Sequence, residues 1–583
     1  MLKTRKFFPF FIVYAAFGWV SPHAQIDEAI PSWYNELILT SAPEPCWTIP
    51  DTPCMAHIFQ RRLLRYFPAM ASGFLLTLGF PDPGLFWLSF FALVPLWTAL
   101  ENRSAGQGFK LGLVTGLIHF LCLIYWLVPT LTVYGGLTFG LALATLILLS
   151  LYLALYPALF AWILTKVRAP TVLAPLWGAT VWVGLEFIRT HALSGFPWGV
   201  LGYSQYANPL LLQMADIFGV LGISFVIVAC NGSLAMAWPL VRRWKGICKC
   251  GQKHPDTAPG LAPGLALIPL ACSLGLLAMA LGYGALRLPE VRKMEASASQ
   301  ATIAVIQGNF QQDQKWSPEF KTETVNRYGE LSLASAPADL IIWPETALPF
   351  YYGRDPVFSS QVDEIVRQAR SFFLVGSPAA KIDGNTVEYY NRAYMLTPMG
   401  LVNGYYDKSH LVPFGEYVPF QDLLFFVEKI TAQAGNFSSG TTGKTPLAFG
   451  THATGVLICF EILFPDISRH FVLNGADLLT TMTNDAWFGK TAAPAQHYAI
   501  AVLRAVENRR SLVRAANTGI SGFILPTGET CAATGLFESA GLVRTVPTLT
   551  QTTFFTRHGD LSGLAAMVAI LLVFVVKGIK KFL

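Results

Sequence analysis

Three side chains in this sequence have types and settings suited to covalent chemistry. Cys459 follows three β-prone apolar residues in VLICFEILFPD (456–466). A thiolate is a strong nucleophile, but burial raises a thiol's pKa, so Cys459 needs a nearby base or cation to react. A buried cysteine on a strand also serves as a small core hydrophobe. Glu345 ends DLIIWPE (339–345). A carboxylate at the end of an apolar strand loses hydration and is drawn toward taking a proton, as a general base must. The alternative is a helix-capping or salt-bridged glutamate. Lys408 lies in YYDKSHLVPFGEYVP (405–419), bracketed by apolar and aromatic residues, with Glu416 further along the same stretch. A fixed ammonium there would stabilise a developing oxyanion; an exposed loop lysine would simply be solvated. His410 in the same stretch opens a Cys–His reading, which is a different mechanism.

These residues need elements to position them. TIAVIQGNF (302–310), DLIIWPE, FFLVGSP (372–378), YNRAYMLTP (390–398), ATGVLICFE (453–461) and DLLTTMTND (477–485) read as strands. Helical patterns lie between several of them, at 318–335, 357–370 and 494–509. Strand–helix alternation predicts a layered α/β fold. Chemistry in such folds gathers at the carboxyl ends of strands, which is where Glu345 and Cys459 stand.

The rest of the chain is of another kind. Of 583 residues, 53% are hydrophobic and 13% charged, against about 25% charged in soluble proteins; the mean hydropathy is +0.46. The apolar excess is concentrated before residue 288. Eight runs approach the roughly 20 residues needed to cross a bilayer: 67–81, 84–100, 110–128, 137–165, 170–188, 216–240, 263–287 and 560–579. The first two share a PDPG turn at 81–84. Basic residues beside the runs set orientation. Arg61, Arg62 and Arg65, then Arg103 and Lys110, Lys166 and Arg168, Arg242 to Lys253, and Lys577 to Lys581 all fall on one side, which is therefore the cytoplasm. Arg189 is the main exception. Residues 288–559 are expected outside. The expected divisions are an atypical extension over 1–54, a membrane domain with seven helices over 55–287, the α/β domain over 288–559 and a last helix over 560–583 with a basic cytoplasmic end. The extension has a basic start and an apolar middle like a signal peptide. Met55 opens MAHIFQRRLLRYF, a natural cytoplasmic start, so 1–54 reads as a mis-assigned start or a removed segment.

Other features point away from further chemistry. The net charge of +6 is modest and forms no nucleic-acid patch. Nine cysteines show no disulfide spacing. Cys248 and Cys250 with His254 make half of a metal site without a second half, and a plain loop is the better reading. Cys122, Cys230 and Cys272 read as packing residues. No cofactor or metal is expected.

Taken together, WPE, DKSHLVPFGEYVP and ICFE, in that order, resemble the Glu–Lys–Cys motifs of the nitrilase superfamily. TNDAWFG (483–489) and RAVENRRSLVRAANTGISGFILPTGE (504–529) add to the likeness. Joined to eight spans, with the domain inserted before the last, the arrangement resembles the apolipoprotein N-acyltransferase family. The loop SGFPWGVLGYSQ (194–205) resembles that family's external loop.

The resemblance implies a membrane helical domain of about eight spans carrying an α-β-β-α sandwich. It implies Glu345 as general base, Lys408 as oxyanion stabiliser and Cys459 as nucleophile, with Glu416 and Glu461 in support. His410 is then a loop residue. Phe460 stands where the family often has Tyr, so a hydroxyl is missing. Trp487 and Phe488 would pack around acyl chains or form plain core. The segment 422–435 is either a mobile arm on the membrane surface or an ordinary buried helix. The implied reaction moves an acyl chain from a phospholipid, phosphatidylethanolamine being the expected donor, to the free α-amine of diacylglyceryl apolipoproteins. The implied setting is a monomer in the bacterial inner membrane with its catalytic domain periplasmic. Two other readings remain: a membrane-anchored hydrolase of small amides, and a receptor or transporter with an inactive domain. Glu186 is the nearest ionisable candidate for a transport path.

Overall fold

The computed structural model describes residues 64–247, 263–312, 319–384, 386–418, 436–441 and 443–582. The extension over 1–54, the group of Cys248, Cys250 and His254, and the segment 422–435 lie outside these residues.

The first helix among the described residues is α1 (Phe67–Leu78). The next apolar run contains a tight 3-10 turn at Phe86–Phe90 and the short α2 (Val94–Ala99). α1 ends at the Gly79 cap, and the PDPG turn, with Asp82 and Gly84 at positive φ, reverses the chain. Six helices among the described residues are long and apolar enough to cross a membrane. Five come next: α3 (Ala105–Leu123), α4 (Phe139–Lys166), α5 (Ala174–His191), α6 (Ala215–Ile247) and α7 (Pro263–Ser297). The two first expected spans are the shorter apolar pieces of this set. α7 continues well past residue 287. Arg287 sustains it there, paired with Asp216 at 2.9 Å and with Glu290 at 2.7 Å.

Two six-stranded sheets follow. The first contains β1 (Ser299–Gln307), β2 (Leu340–Ile342), β3 (Phe372–Asp383), β4 (Thr386–Leu396) and β5 (Val402–Asp407). The second contains β6 (Leu447–Phe449), β7 (His452–Ile458), β8 (Leu478–Thr483), β9 (Ser511–Ala516), β10 (Gly522–Ile524) and β11 (Thr530–Ala533). β12 (Ala540–Thr548) returns to pair antiparallel with β1, giving the orders β12-β1-β2-β3-β4-β5 and β11-β10-β9-β8-β7-β6. Each sheet has three parallel strands at its centre, β1-β2-β3 and β7-β8-β9.

The layering follows from the two-residue period of a strand. On β1, Ile303 and Val305 join the apolar core shared with Val456 and Leu478 of the other sheet. Ala304 and Ile306 face the opposite way and pack with Val325 and Tyr328 of α8 (Phe320–Ala334) and Val362 and Val366 of α9 (Pro356–Ala369). With α10 (Pro465–Leu473) and α11 (Ala493–Asn508) on the second sheet, the domain is an α-β-β-α sandwich. The last helix, α12 (Leu561–Phe582), packs against α5.

α11 is buried along its whole length because it is the seam between sandwich and membrane helices. Buried polar bonds hold this seam. Arg509 reaches Asp216 at 2.8 Å and Gln213 Oε1 at 2.7 Å. Arg504 donates to the Tyr203 hydroxyl at 3.0 Å. Near its start α6 breaks at Gly219, whose φ of 63° leaves the helical region. The Val220 N–H freed there donates to Glu507 Oε1 at 3.1 Å. A Cβ on Gly219 would stand 2.5 Å from the Phe555 ring, so the break requires glycine. Arg189, the exception to the charge pattern, is also a clamp: it is buried beside Glu186 and donates to the carbonyls of Trp198 and Gly199. Glu186 accepts the Leu201 N–H at 2.7 Å. Both residues therefore fold the 194–205 loop. Removing one partner of a buried ion pair strands a charge, at a cost of about 3–5 kcal/mol. Asp216 keeps Arg287 and the Tyr283 hydroxyl as partners, so Arg509→Met is expected to lower the thermal midpoint of the detergent-solubilised protein by less than that loss, and adding Asp216→Leu to lower it further, because Arg287 then loses its buried partner.

Candidate active site

Glu345 follows β2 through Trp343 and Pro344. The Trp343 N–H donates to Leu374 O at 2.9 Å and its indole to Ser332 at 2.8 Å, which fixes the strand end. β3 passes directly behind the turn. A Cβ on Gly376 would lie 2.4 Å from Pro344 O and 2.5 Å from Thr346 N, so only glycine allows this approach. Glu345 is buried, and its oxygens accept from Asn391 Nδ2 at 2.8 Å and from the Asn484 N–H at 2.9 Å. Asn391 is on β4 and Asn484 follows β8, so this one carboxylate ties the two sheets together.

Lys408 follows β5 and is only 1% exposed. Its Nζ sits 2.9 Å from Glu416 Oε1 and 3.5 Å from Glu345 Oε1. Asn391 also donates to Glu416 at 3.2 Å, and Glu416 accepts the Val412 N–H at 2.8 Å. Burial on its own would push the ammonium's pKa down. The charges of Glu416 and Glu345 outweigh it and hold Lys408 above the ordinary lysine range.

Cys459 stands at the end of β7, one residue beyond the Ile458–Met482 pairing. The expected strand to Glu461 stops at Ile458, because Cys459 has φ 53° and the chain turns there into a 3-10 segment, Cys459–Leu463. A non-glycine residue in this region carries strain that its surroundings must hold. The residue is half-buried. Burial first, and the Glu345 charge second, push the thiol above its usual range; Lys408 and a hydrogen bond with Thr483 pull the other way. The thiol, carboxylate and ammonium are thus within electrostatic reach of one another.

Glu461 is fully buried and ties the cysteine turn to the lysine loop. Its Oε1 accepts from the Tyr406 hydroxyl at 2.7 Å and from the Ser409 and His410 N–H groups at 2.8 and 3.1 Å. Its Oε2 accepts the Ile458 N–H at 2.8 Å. One side chain therefore holds the residues next to both Lys408 and Cys459. Phe460 packs edge-on against Phe464, with ring centroids 5.3 Å apart. His410 lies against the same Phe464 ring. Trp487 and Phe488 meet the membrane part: Trp487 packs on Tyr134, Phe488 on Trp126, and Thr130 donates to Trp487 O at 2.9 Å. The sequence reading did not pick out Asn391, Tyr406 or His497, and it quoted Asn484 and Asp485 only as part of a motif. An amide or histidine within a strand or helix carries no periodic signal. Only the strand-end position of Asn484 and Asp485 offered one.

The charges around the thiol have opposite effects that chemistry can read. Glu345 raises the thiol pKa, so Glu345→Gln is expected to move the pH profile of Cys459 alkylation to lower pH. Lys408 lowers it, so Lys408→Met is expected to move the profile to higher pH. Maleimide labelling rates across a pH series check both directions.

Comparison with known proteins agrees with this architecture. The apolipoprotein N-acyltransferase N-terminal domain matches residues 72–233, and the carbon-nitrogen hydrolase domain matches residues 296–552. The chain is 40% identical over 505 residues to an apolipoprotein N-acyltransferase of Geobacter metallireducens, covering 86% of this chain and 93% of that one. It is 32% identical over 496 residues to one of Methylococcus capsulatus, covering 84% and 92%. A carbon-nitrogen hydrolase structure from Helicobacter pylori G27 superposes with a TM-score of 0.33 at 18% identity, over 42% of this chain and 89% of that one. The near-full-length match at this identity, across both the membrane helices and the sandwich, means that the chain belongs to the apolipoprotein N-acyltransferase family.

Proposed function

We propose that this protein moves an acyl chain from a phospholipid to the α-amine of an N-terminal S-diacylglyceryl cysteine on apolipoproteins, through a thioester on Cys459. The observation that carries the reading is the buried Lys408 ammonium, held between Glu345 and Glu416 within reach of the Cys459 thiol.

The resting thiol is protonated, so the first step needs a base. Glu345 takes the thiol proton as sulfur attacks the ester carbonyl. Lys408 and a backbone N–H beside Cys459 stabilise the oxyanion. The carbon–oxygen ester bond breaks, the leaving alkoxide takes the proton from Glu345, and a lysophospholipid departs. In the second half the amine attacks the thioester. A carbon–nitrogen bond forms, the carbon–sulfur bond breaks, and Glu345 passes the amine's proton to the departing sulfur. This is ping-pong covalent catalysis. Water would hydrolyse the thioester, so the site must exclude it.

Glu416 keeps Lys408 charged and in place, and Glu461 keeps the lysine loop on the cysteine turn. Trp487 and Phe488 dock the site on the membrane helices, where both lipid-anchored substrates arrive. Phe460 brings an aromatic ring without a hydroxyl. Phosphatidylethanolamine is the proposed donor. The basic residues beside the spans support a catalytic domain on the periplasmic side of the bacterial inner membrane and a cytoplasmic C-terminus; action as a monomer is proposed alongside. The domain divisions proposed are 55–287, 288–559 and 560–583, after an extension over 1–54.

Labelled phosphatidylethanolamine and a diacylglyceryl-cysteine peptide test the assignment. Cys459→Ala is expected to form neither thioester nor triacylated peptide. Lys408→Met is expected to slow transfer by about 10²–10³-fold, the loss typical of one oxyanion donor. Triacylated product from Cys459→Ala would overturn the choice of nucleophile.

A further inference from the structure

His497 on α11 is a histidine that the proposed mechanism does not use, yet it touches the nucleophile's backbone. Its Nε2 lies 3.2 Å from the carbonyl oxygen of Cys459. A carbonyl can only accept, so Nε2 carries the hydrogen. The other ring nitrogen, Nδ1, lies 3.0 Å from Arg514 Nη2 and 3.2 Å from Asp485 Oδ1. A guanidinium can only donate, so Nδ1 accepts from Arg514. Burial, then the Arg514 charge, disfavour a second proton on this ring. The same neutral tautomer therefore satisfies both nitrogens.

The neighbours close a ring around Cys459. Asp485 accepts from Arg514 at 2.7 Å and from the Thr483 hydroxyl at 2.9 Å. Thr483 in turn faces the Cys459 thiol and favours its ionised form. All four partners, Thr483, Asp485, His497 and Arg514, are buried. Gly519 leaves room for this cluster, since a Cβ there would lie 2.3 Å from Asp485 Oδ2.

We propose that His497 is a positioning residue for acyl transfer: it grips the Cys459 carbonyl and thereby aims the Phe460 N–H at the oxyanion. The inference rests on Cys459 being the nucleophile. A trans peptide is planar, with its C=O and N–H on opposite edges. Holding one edge of the Cys459–Phe460 peptide sets the direction of the other. The strained φ of Cys459 makes such a restraint necessary, because an unheld peptide would relax toward an extended conformation. The membrane part fixes the ring in turn. Trp198 of the external loop stacks on His497, with centroids 5.6 Å apart. Gln496, the preceding residue, accepts from the indoles of Trp198 and Trp126 at 2.7 and 3.2 Å.

The test compares His497→Gln, whose amide NH2 reaches the position of Nε2, with His497→Leu and His497→Met, which donate nothing. Two apolar variants are used so that the result does not depend on the folding of one. Full-length proteins are assayed for thioester formation from labelled phosphatidylethanolamine, for kcat and KM of transfer, and for thermal midpoint. The apolar variants are expected to lose about 10²-fold in kcat, the scale of a misdirected oxyanion donor, with KM little changed. His497→Gln is expected to regain at least about tenfold of that loss. Wild-type rates in a folded apolar variant, or a Gln variant as slow as the apolar ones, would overturn the proposal. A wild-type protein that forms no thioester would overturn the parent reading instead.

Discussion

A lysine ammonium removed from water must be paired, and Lys408 is almost completely removed. An isolated charge at that depth would lose its proton or unfold its loop. Glu416 and Glu345 prevent this, and much of the site is the apparatus that holds them. Asn391 bonds both carboxylates, the 412–416 turn supplies a backbone N–H to Glu416, and Asn484 crosses from the other sheet to Glu345. Charge pairing thus draws together the ends of β2 and β5 in one sheet, and the Asn484 N–H joins the other sheet to them. In the proposed mechanism the same arrangement gives the site its chemistry, since the carboxylate that pairs with the ammonium is also the one that takes a proton.

The second constraint is the strain at Cys459. Glu461 restrains the turn from the lysine side, through Ile458 and the residues after Lys408. His497 restrains it from the helix side. That helix, α11, is also the seam with the membrane part, where Arg504, Arg509 and Gln496 make their buried bonds. The Cys459 backbone and the 194–205 loop are therefore two contacts of one helix turn. This is a physical reason for the two parts to form one unit.

Much of this was legible in the sequence. The apolar runs, the alternating strands and the order of WPE, DKSHLVPFGE and ICFE follow from local patterning, and the six strands read from it are all present. Six of the described strands were not read: β6, β10 and β11 have only three or four residues, β9 is buried on both faces and so shows no alternation, and β5 and β12 are largely exposed over their first residues. The first two expected runs are present as the shorter apolar helical pieces Phe67–Leu78 and Phe86–Ala99, on either side of the turn at Asp82 and Gly84. Arg189 looked like a topological exception because charge counting cannot see that a guanidinium is spent on carbonyls. His410 drew attention by sequence proximity to Lys408. His497, 38 residues from Cys459, is the histidine in contact with it.

The central claim is that Cys459 carries the acyl group between two lipid substrates. Intact-protein mass spectrometry with peptide mapping, after incubation with phosphatidylethanolamine alone, tests it most directly. The account predicts a mass gain of one acyl chain, mapped to Cys459, labile to hydroxylamine and discharged when a diacylglyceryl-cysteine peptide is added. An adduct on another residue, or triacylated peptide formed at full rate with Cys459 never acylated, would contradict it.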